Sequence, residues 1–163
     1  MKVHVDVEPL DHSAASMAER IHAVQMAAYS QEAVLIGAVQ FPPLSRTLEE
    51  VRSSSEQFFG AFVGSELVGA AGIEYEGEAS MGISSFVVAP DWQRQGVGRI
   101  LLRRILELYG AHGLQVQTAA RNVPALALYH QSGFLEVRRW LVGAEALELV
   151  RLRRPPAKAQ NVA

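Results

Sequence analysis

The chain has 163 residues, which is enough for one domain with a hydrophobic core and too few for two ordinary domains. Hydrophobic residues make up 49% and charged residues 20%, proportions that exclude a disordered chain and a fibrous protein. The formal net charge of −2 gives no electrostatic footprint for nucleic acid, and the absence of cysteine excludes a disulfide framework, a zinc–thiolate site and a thiol nucleophile.

The first part of the chain is predicted to form a strand and then a helix. Valines alternate with polar residues over positions 3–8, the pattern of a half-buried strand, and Pro9 should end that strand. Asp11 can cap the helix that follows, in which apolar residues recur at helical spacing. This first helix is predicted to end at Tyr29 or Ser30.

A short helix and a β-hairpin follow. Thr47 with Glu50 three residues later is the pattern of a capping box, which predicts a helix over about 48–56. Two apolar segments, 58–63 and 66–75, are separated by a glycine-serine turn, so we predict that they pair as a hairpin.

The middle of the chain is predicted to hold a buried strand, a loop and an amphipathic helix. The strand spans about 79–88 and ends in a continuous apolar run at 86–88, which favours burial on both faces. A Pro-Asp turn and a glycine-containing loop open into a helix that should end at Gly110 or Gly113. The apolar residues of that helix share one face: Val97, Leu101, Ile105 and Leu108.

The next elements complete a strand–helix–strand unit. Residues 114–118 are predicted to form a strand parallel to 86–88, with the helix as a right-handed crossover. Asn122 and Pro124 should start another helix, and Gly133 should end it.

The remainder is predicted to close the domain. Segments 134–142 and 146–152 form an antiparallel pair, so one α/β domain should span residues 1–154. The tail from 155 to 163, which begins with two prolines, is expected to be disordered.

The loop before the central helix predicts an anion site. The first backbone N–H groups of a helix have no intrahelical partner, and the helix dipole adds positive potential there. Gly96 and Gly98 let a phosphate approach those amides, and Arg94 and Arg99 add positive charge. A phosphorylated ligand is therefore predicted, with a plain tight turn as the alternative. The dinucleotide fingerprint and the P-loop are excluded, because the third glycine of the first and the Gly-Lys-Ser/Thr of the second are absent.

Two segments match the motifs of a known family. Gln93-Arg94-Gln95-Gly96-Val97-Gly98 matches Gln/Arg-x-x-Gly-x-Gly/Ala, and the segment 122–134 matches Asn-x-x-Ala-x-x-x-Tyr-x-x-x-Gly-Phe. In this order and context they resemble the GNAT superfamily of acetyl-CoA-dependent N-acetyltransferases, over about residues 50–150. The resemblance implies an α/β single-domain fold whose central mixed, mostly antiparallel sheet has about seven strands and is flanked by about four helices.

The resemblance also implies a site for acetyl-CoA. The strand before the signature would pair with the pantetheine arm through its backbone, and the loop would hold the pyrophosphate. A splay between this strand and the 114–118 strand is expected on the same grounds. The residues expected to bind acetyl-CoA are Phe86, Val87, Val88, Arg94, Gln95, Gly96, Val97, Gly98, Arg99 and Asn122. Asn122 is expected to cap its helix, to contact the cofactor, or to do both.

Tyr129 matches the family tyrosine that protonates the leaving thiolate, and this makes it the candidate catalytic residue. A phenol with a pKa near 10 suits proton donation to a thiolate. The alternative is a tyrosine at the edge of the core that only packs.

The general base is not evident from the sequence. Many family members carry a glutamate where this chain has residues that cannot act as a base near neutral pH: Ser84, Ser85 and Gln117. Glu74 and Glu76 on the neighbouring strand could reach the cleft directly or through water. Glu32 and His112 are more remote candidates, and all four are alternatively plain surface residues.

The expected activity is acetyl transfer from acetyl-CoA to a primary amine of a small molecule or a peptide. Direct attack in a ternary complex is expected, because no cysteine can carry the acyl group. Two alternatives stay open: a non-catalytic acyl-CoA-binding sensor and a transferase for another acyl group. A homodimer is also left open, since nothing in the sequence specifies an interface.

Metals and membranes are not expected to take part. The five histidines show no metal-ligand spacing. The first residues lack the apolar core of a signal peptide, and no apolar run approaches the roughly 20 residues of a membrane span. We therefore expect a cytoplasmic protein that binds neither membrane nor nucleic acid.

Overall fold

A computed structural model describes residues 3–77 and 80–157, and in this part of the chain a seven-stranded mixed sheet is flanked by four α-helices. The strands are β1 (Asp6–Leu10), β2 (Gln57–Val63), β3 (Glu66–Tyr75), β4 (Ser80–Val88), β5 (Gly113–Ala119), β6 (Leu135–Val142) and β7 (Leu147–Arg154). The helices are α1 (Ala15–Ile36), α2 (Leu48–Arg52), α3 (Val97–Tyr109) and α4 (Val123–Gln131). The predicted fold class is confirmed.

The sheet consists of two antiparallel parts joined by one parallel pair. The strand order is β1-β2-β3-β4-β5-β7-β6, and among the strands that the structure describes only β4 and β5 run parallel. Their pairing extends from Ser80 opposite Gly113 to Ile83 opposite Val116 and then stops. Beyond this point β4 still pairs with β3 as far as Val88, and β5 still pairs with β7 as far as Ala119. The two strands therefore separate while each stays in its own half of the sheet.

This separation agrees with the expected splay and corrects one detail. The sequence predicted that segment 114–118 pairs in parallel with segment 86–88. The first half of β4 makes that contact, and residues 86–88 face the gap instead. The apolar run at 86–88 was also predicted to be buried on both faces. Val87 is buried, but Phe86 and Val88 are half-buried, because they line a cavity.

The helices cover the two faces of the sheet with separate cores. On one side α1 and α2 bury Ile21, Val51 and Phe58, each fully enclosed. On the other side α3 packs against the sheet, and the fully enclosed Phe134 belongs to this core. The predicted inward face of α3 is correct at Val97, Leu101 and Ile105. Leu108 is 43% exposed, and Leu102 is buried in its place.

The first strand and helix differ from their predictions. Pro9 lies inside β1, opposite Phe59, which is tolerated because β1 is an edge strand with one side free of partners. Asp11 does not cap α1; its carboxylate accepts hydrogen bonds from Ser13, and α1 begins at Ala15.

Helix α1 extends past its predicted end at residue 30 to Ile36, where Gly37 adopts a left-handed conformation with φ 70°. Buried Ala33 and Ile36 continue the apolar face of the helix, so packing against the sheet carries it one and a half turns further. This extension contains Glu32.

The remaining elements agree with the sequence to within a few residues. The capping box of Thr47 and Glu50 is present, although α2 ends at Arg52. In the predicted tail, the Ala157 N–H donates to the Gly110 carbonyl at 2.8 Å, whereas residues 158–163 and the predicted start of β4 at Ala79 lie outside the described residues. None of the helices within the described ranges is both long and apolar enough to cross a membrane.

Candidate active site

The separation of β4 and β5 opens a cavity of about 480 Å³, which we call the gap cavity. Helix α1, strands β3, β4 and β5, and helix α4 surround it. Its charged and phenolic lining residues are Glu32, Glu74, Glu76, Arg151, Tyr29 and Tyr129. The lining of the gap cavity carries three carboxylates and one guanidinium. It is therefore acidic, which favours a cationic occupant.

A second cavity, which we call the loop cavity, lies between the loop before α3, the end of β4 and helix α1. It also measures about 480 Å³. All but one of the predicted cofactor residues line it: Phe86, Val87, Val88, Arg94, Gly96, Val97, Gly98, Arg99 and Asn122. The exception is Gln95, whose side-chain amide instead donates to the Asp91 carbonyl at 3.2 Å.

The two cavities meet at a shared wall. Four residues line both of them: Glu32, Phe86, Asn122 and Ala125. A molecule entering the loop cavity and another entering the gap cavity can therefore approach each other at this wall.

The loop before α3 has the geometry of an anion site. Gly96 adopts a left-handed conformation with φ 85°, and Arg94 does so with φ 63°. The first intrahelical bond of α3 runs from the Ile100 N–H to the Gly96 carbonyl at 3.0 Å. The amides of 97–99 precede that bond, so they have no partner within the helix and border the loop cavity.

The backbone of β4 presents hydrogen-bonding groups to the gap. The Ala89 N–H bonds to the Val68 carbonyl of β3 at 2.8 Å. Because backbone groups alternate sides along a strand, those of Phe86 and Val88 point away from β3 and towards the gap. An extended ligand with amide groups could pair with them as an added strand.

Gln93, the first residue of the signature, has a structural role that the sequence did not reveal. Its Nε2 donates to the Val88 carbonyl at 3.0 Å and to Gln31 Oε1 at 2.6 Å. One side chain thus ties the loop to both β4 and α1. The partner on α1 lies 62 positions earlier in the chain, so no local pattern could have identified it.

Tyr129 lies in the wall of the gap cavity and is 3% exposed. Its ring packs at 6.1 Å from Phe86 and 5.6 Å from Phe134, measured between ring centroids. Burial raises the pKa of Tyr129 well above its ordinary value, and the nearby Glu32 carboxylate raises it further. The phenol therefore stays protonated at neutral pH and is able to act as a proton donor.

Asn122 joins α4 to α1 through its side chain. Its Oδ1 accepts the Ala125 N–H at 3.2 Å, which caps α4, and its Nδ2 donates to Glu32 Oε1 at 3.0 Å. The predicted cap is therefore present. The bond to Glu32 was not predicted, because the two residues are 90 positions apart.

Glu32 is thus brought to the wall shared by both cavities, although the sequence ranked it as a remote candidate. It is half-buried, and burial raises the pKa of Glu32, against the lowering effect of the Asn122 hydrogen bond. Glu74 and Glu76 line only the gap cavity. Burial also raises the pKa of Glu74, with smaller contributions from Glu56 and Glu76. His112 lines neither cavity.

Glu56 is a further carboxylate beside the gap cavity, but it is fully engaged. It is 7% exposed and accepts hydrogen bonds from Arg46, Ser84 and Ser54. Burial alone would raise the pKa of Glu56, but these hydrogen bonds outweigh it and lower that pKa. Glu56 therefore stays ionised and attaches the segment before α2 to β4.

Within the described ranges, no three His, Asp or Glu side chains are grouped so that they could hold a metal ion. Ser84, Ser85 and Gln117 do line the gap cavity, as their positions in the sequence suggested. None of them is basic enough to accept a proton from an ammonium group near neutral pH.

Comparison with known proteins points to one family. The model of the Acetyltransferase (GNAT) family matches residues 17–134. The N-alpha-acetyltransferase RimI of Mycobacterium tuberculosis is 30% identical over 154 residues, which cover 90% of this chain and 94% of that protein. Protein YqkA of Bacillus subtilis is 37% identical over 130 residues, 78% of this chain, but this chain spans only 37% of YqkA.

A solved structure shares the fold. YncA of Salmonella typhimurium, determined with its cofactor acetyl-CoA, superposes with a TM-score of 0.71 over 98% of each chain at 16% identity. At this level of identity the likeness concerns the fold.

The Glu56 cluster predicts a specific pH dependence of stability. Because the folded-state pKa of Glu56 is lowered from 4.5, its stabilising contribution is present above that pH and is lost as the pH falls below it. We expect Glu56→Gln to lower the free energy of unfolding at neutral pH by about 1–3 kcal/mol, because the half-buried Arg46 guanidinium loses its ionised partner. The variant should also lose less stability than the wild type between pH about 5 and about 3.

Urea denaturation at several pH values measures both effects. Glu107→Gln is the matched control, since Glu107 makes its ion pair with Arg104 on the exposed face of α3. An acid decline as steep in Glu56→Gln as in the wild type would contradict the role assigned to Glu56.

Proposed function

Because the chain belongs to the acetyltransferase (GNAT) family, we propose that it transfers the acetyl group of acetyl-CoA to a primary amine. The observation that carries this proposal is the meeting of two cavities at the gap between β4 and β5. One cavity borders a helix start suited to phosphate, and the other has an acidic lining suited to an amine. We further propose that residues 1–154 form the catalytic domain, since β1 and β7 belong to the same sheet as the strands between them.

Acetyl-CoA would occupy the loop cavity. The unpartnered amides of 97–99 suit the pyrophosphate, with Arg94 and Arg99 adding positive charge. The backbone groups of Phe86 and Val88 suit the amides of the pantetheine arm. The acetyl-CoA bound to YncA, a structure of the same fold, supports this assignment.

The acceptor would occupy the gap cavity as a cation. Glu32, Glu74 and Glu76 attract an ammonium group, while Arg151 is the one cationic side chain among the residues that line this cavity in the described ranges. Both a small-molecule amine and a peptide N-terminus satisfy this chemistry. The relative RimI is named an N-alpha-acetyltransferase, which makes peptide α-amines the first acceptors to test.

The reaction would proceed by direct attack of the amine on the thioester. The nitrogen forms a bond to the carbonyl carbon, and the carbon–sulfur bond then breaks with its electron pair going to sulfur. Tyr129 would donate its phenolic proton to the departing thiolate. An acyl-cysteine intermediate does not arise, because the chain contains no cysteine.

We expect the purified protein to release CoA from acetyl-CoA in the presence of a suitable amine. A panel of peptides, amino acids, polyamines and aminoglycosides can be screened with a thiol reagent, since the protein itself contributes no thiol. Mass spectrometry should then find the acceptor heavier by one acetyl group. Tight acetyl-CoA binding with no transfer to any amine of the panel would contradict the proposed reaction.

Tyr129→Phe should lower turnover by about a hundredfold or more, because the leaving thiolate loses its proton donor. The affinity for acetyl-CoA, measured by calorimetry, should not change, since Tyr129 does not line the loop cavity. Tyr109→Phe is the control: Tyr109 packs on Phe59 at 6.0 Å, away from both cavities. Unaltered turnover in Tyr129→Phe would remove this residue from the chemistry.

Gly98→Val should weaken acetyl-CoA binding by at least about tenfold, or about 1.4 kcal/mol. A Cβ at Gly98 would lie 3.6 Å from Val88 and Leu128 and 3.7 Å from Phe86, so one methyl fits but the two further methyls of valine would crowd these neighbours or the space that the ligand needs. The Gly98→Ala variant should therefore bind acetyl-CoA more tightly than the Gly98→Val variant does. Gly96 is less suitable for this test, because its φ of 85° disfavours any other residue and a substitution there would also strain the backbone.

Calorimetric titration with acetyl-CoA gives both affinities, and thermal melts show whether each variant is folded. Equal affinity for acetyl-CoA in Gly98→Val and the wild type would show that the cofactor binds elsewhere.

A further inference from the structure

We propose that Glu32 accepts the proton that the amine must lose before it attacks the thioester, and that Asn122 positions Glu32 for this step. The inference rests on the acetyl transfer proposed above. It concerns a residue that lies outside both sequence motifs, on the extension of α1.

Glu32 lies where the two cavities meet. The gap cavity is lined by three carboxylates, and of these only Glu32 also lines the loop cavity. The other residues of the shared wall are Phe86, Asn122 and Ala125, none of which can take up a proton. An amine that enters through the gap cavity to reach a thioester in the loop cavity therefore meets Glu32 at the place of contact.

The Glu32 carboxylate is held in place by a hydrogen bond from Asn122. Asn122 donates to Glu32 Oε1 at 3.0 Å while its own Oδ1 is fixed by the Ala125 N–H. The preceding residue, Arg121, donates from Nη1 to the Ile36 carbonyl at 3.4 Å. Two consecutive residues before α4 thus attach to the last two turns of α1. Within the described residues Glu32 Oε2 has no hydrogen-bond partner, so it remains able to accept one from the amine.

The other carboxylates near the gap are less suited than Glu32 to accept this proton. Glu56 is saturated by donors from Arg46, Ser84 and Ser54, and its lowered pKa makes it a weak base. Glu74 and Glu76 border the gap cavity away from the shared wall.

The surroundings of Glu32 suit a base. The titratable and charged groups that line the two cavities with it are Tyr29 of α1, Glu74 of β3 and the neighbouring Glu76, Arg94 and Arg99 of the loop and α3, Tyr129 of α4, and Arg151 of β7. Burial raises the pKa of Glu32, which makes its carboxylate a stronger base than an exposed one. Burial likewise raises the pKa of Tyr29, to about 12, so this phenol stays neutral.

With Glu32 as the base and Tyr129 as the acid, every proton of the reaction is accounted for. The ammonium gives one proton to the Glu32 carboxylate, and the freed lone pair attacks the carbonyl carbon, whose π electrons move to oxygen. Collapse of the tetrahedral intermediate breaks the carbon–sulfur bond, and sulfur takes the proton of Tyr129. The second proton of the nitrogen replaces it on the Tyr129 oxygen, and Glu32 returns its proton to solvent. The products are an acetamide, a free thiol and one proton.

Glu32→Gln tests the proposal, because glutamine can still accept the Asn122 hydrogen bond but cannot take a proton. We expect kcat/KM for the best acceptor to fall about a hundredfold near neutral pH. The deficit should shrink as the pH approaches the pKa of the amine, since more of the acceptor is then already neutral. The affinity for acetyl-CoA should stay within about twofold of the wild type.

Three further variants sharpen the test. Glu74→Gln makes the same change in the gap cavity and should raise the KM for the acceptor without altering the shape of the pH profile. Asn122→Ser keeps a capping residue on α4 but loses the bond to Glu32. Because that bond lowers the pKa of Glu32, its loss should move the acidic inflection of kcat/KM to higher pH. Glu107→Gln, on the exposed face of α3, should behave as the wild type.

The outcomes separate the two proposals. A wild-type rate and pH profile in Glu32→Gln would overturn the role of Glu32 and leave acetyl transfer intact. A fall in kcat/KM of Glu32→Gln that is equal at every pH and accompanied by weaker acetyl-CoA binding would also overturn the role of Glu32 as a base. Glu32 would then be a binding residue. No transfer by the wild type to any acceptor of the panel would overturn the proposed function and this inference together.

Discussion

The separation of two parallel strands after a short contact is the constraint on which the site depends. β4 and β5 pair only from Ser80 to Ile83 and from Gly113 to Val116. Each strand remains paired on its other side to its end, so the gap opens without leaving the rest of the sheet incomplete. Because no described strand fills the gap, the backbone groups of Phe86 and the N–H of Val88 stay available, and two cavities can meet where the strands part.

Polar side chains hold the surrounding elements around this gap. Gln93 connects the loop before α3 to β4 and α1, and Asn122 connects α4 to α1. Glu56 connects β4 to the segment before α2 through Ser84 and Arg46. Each of these three side chains makes at least one contact with an element that is distant in sequence, and each contacts or is itself a residue that lines a cavity. Such partly buried bonds cost little apolar packing, yet they fix the spacing of the cavity walls.

Burial in the lining of the gap cavity raises the pKa of both Glu32 and Tyr129. Removing a carboxylate from water makes Glu32 hold a proton more readily, and removing a phenol from water makes Tyr129 retain its own. In the proposed reaction the first group receives a proton and the second supplies one. Burial thus strengthens Glu32 as a base, and it keeps Tyr129 in the protonated form that a donor must have before the thiolate leaves.

The sequence by itself determined the order of strands and helices along the chain, the capping box of Thr47, the cap of Asn122 and the loop before α3, because these depend on residues a few positions apart. The family motifs also marked the lining of the loop cavity, with Gln95 as the exception. Tertiary structure alone decided the length of α1 and the position of Glu32. Helix α1 continues because Ala33 and Ile36 pack in the interior, and Glu32 reaches the site through a partner 90 residues away. Local periodicity carries no information about such contacts, because their energy comes from surfaces that meet only when the chain has folded.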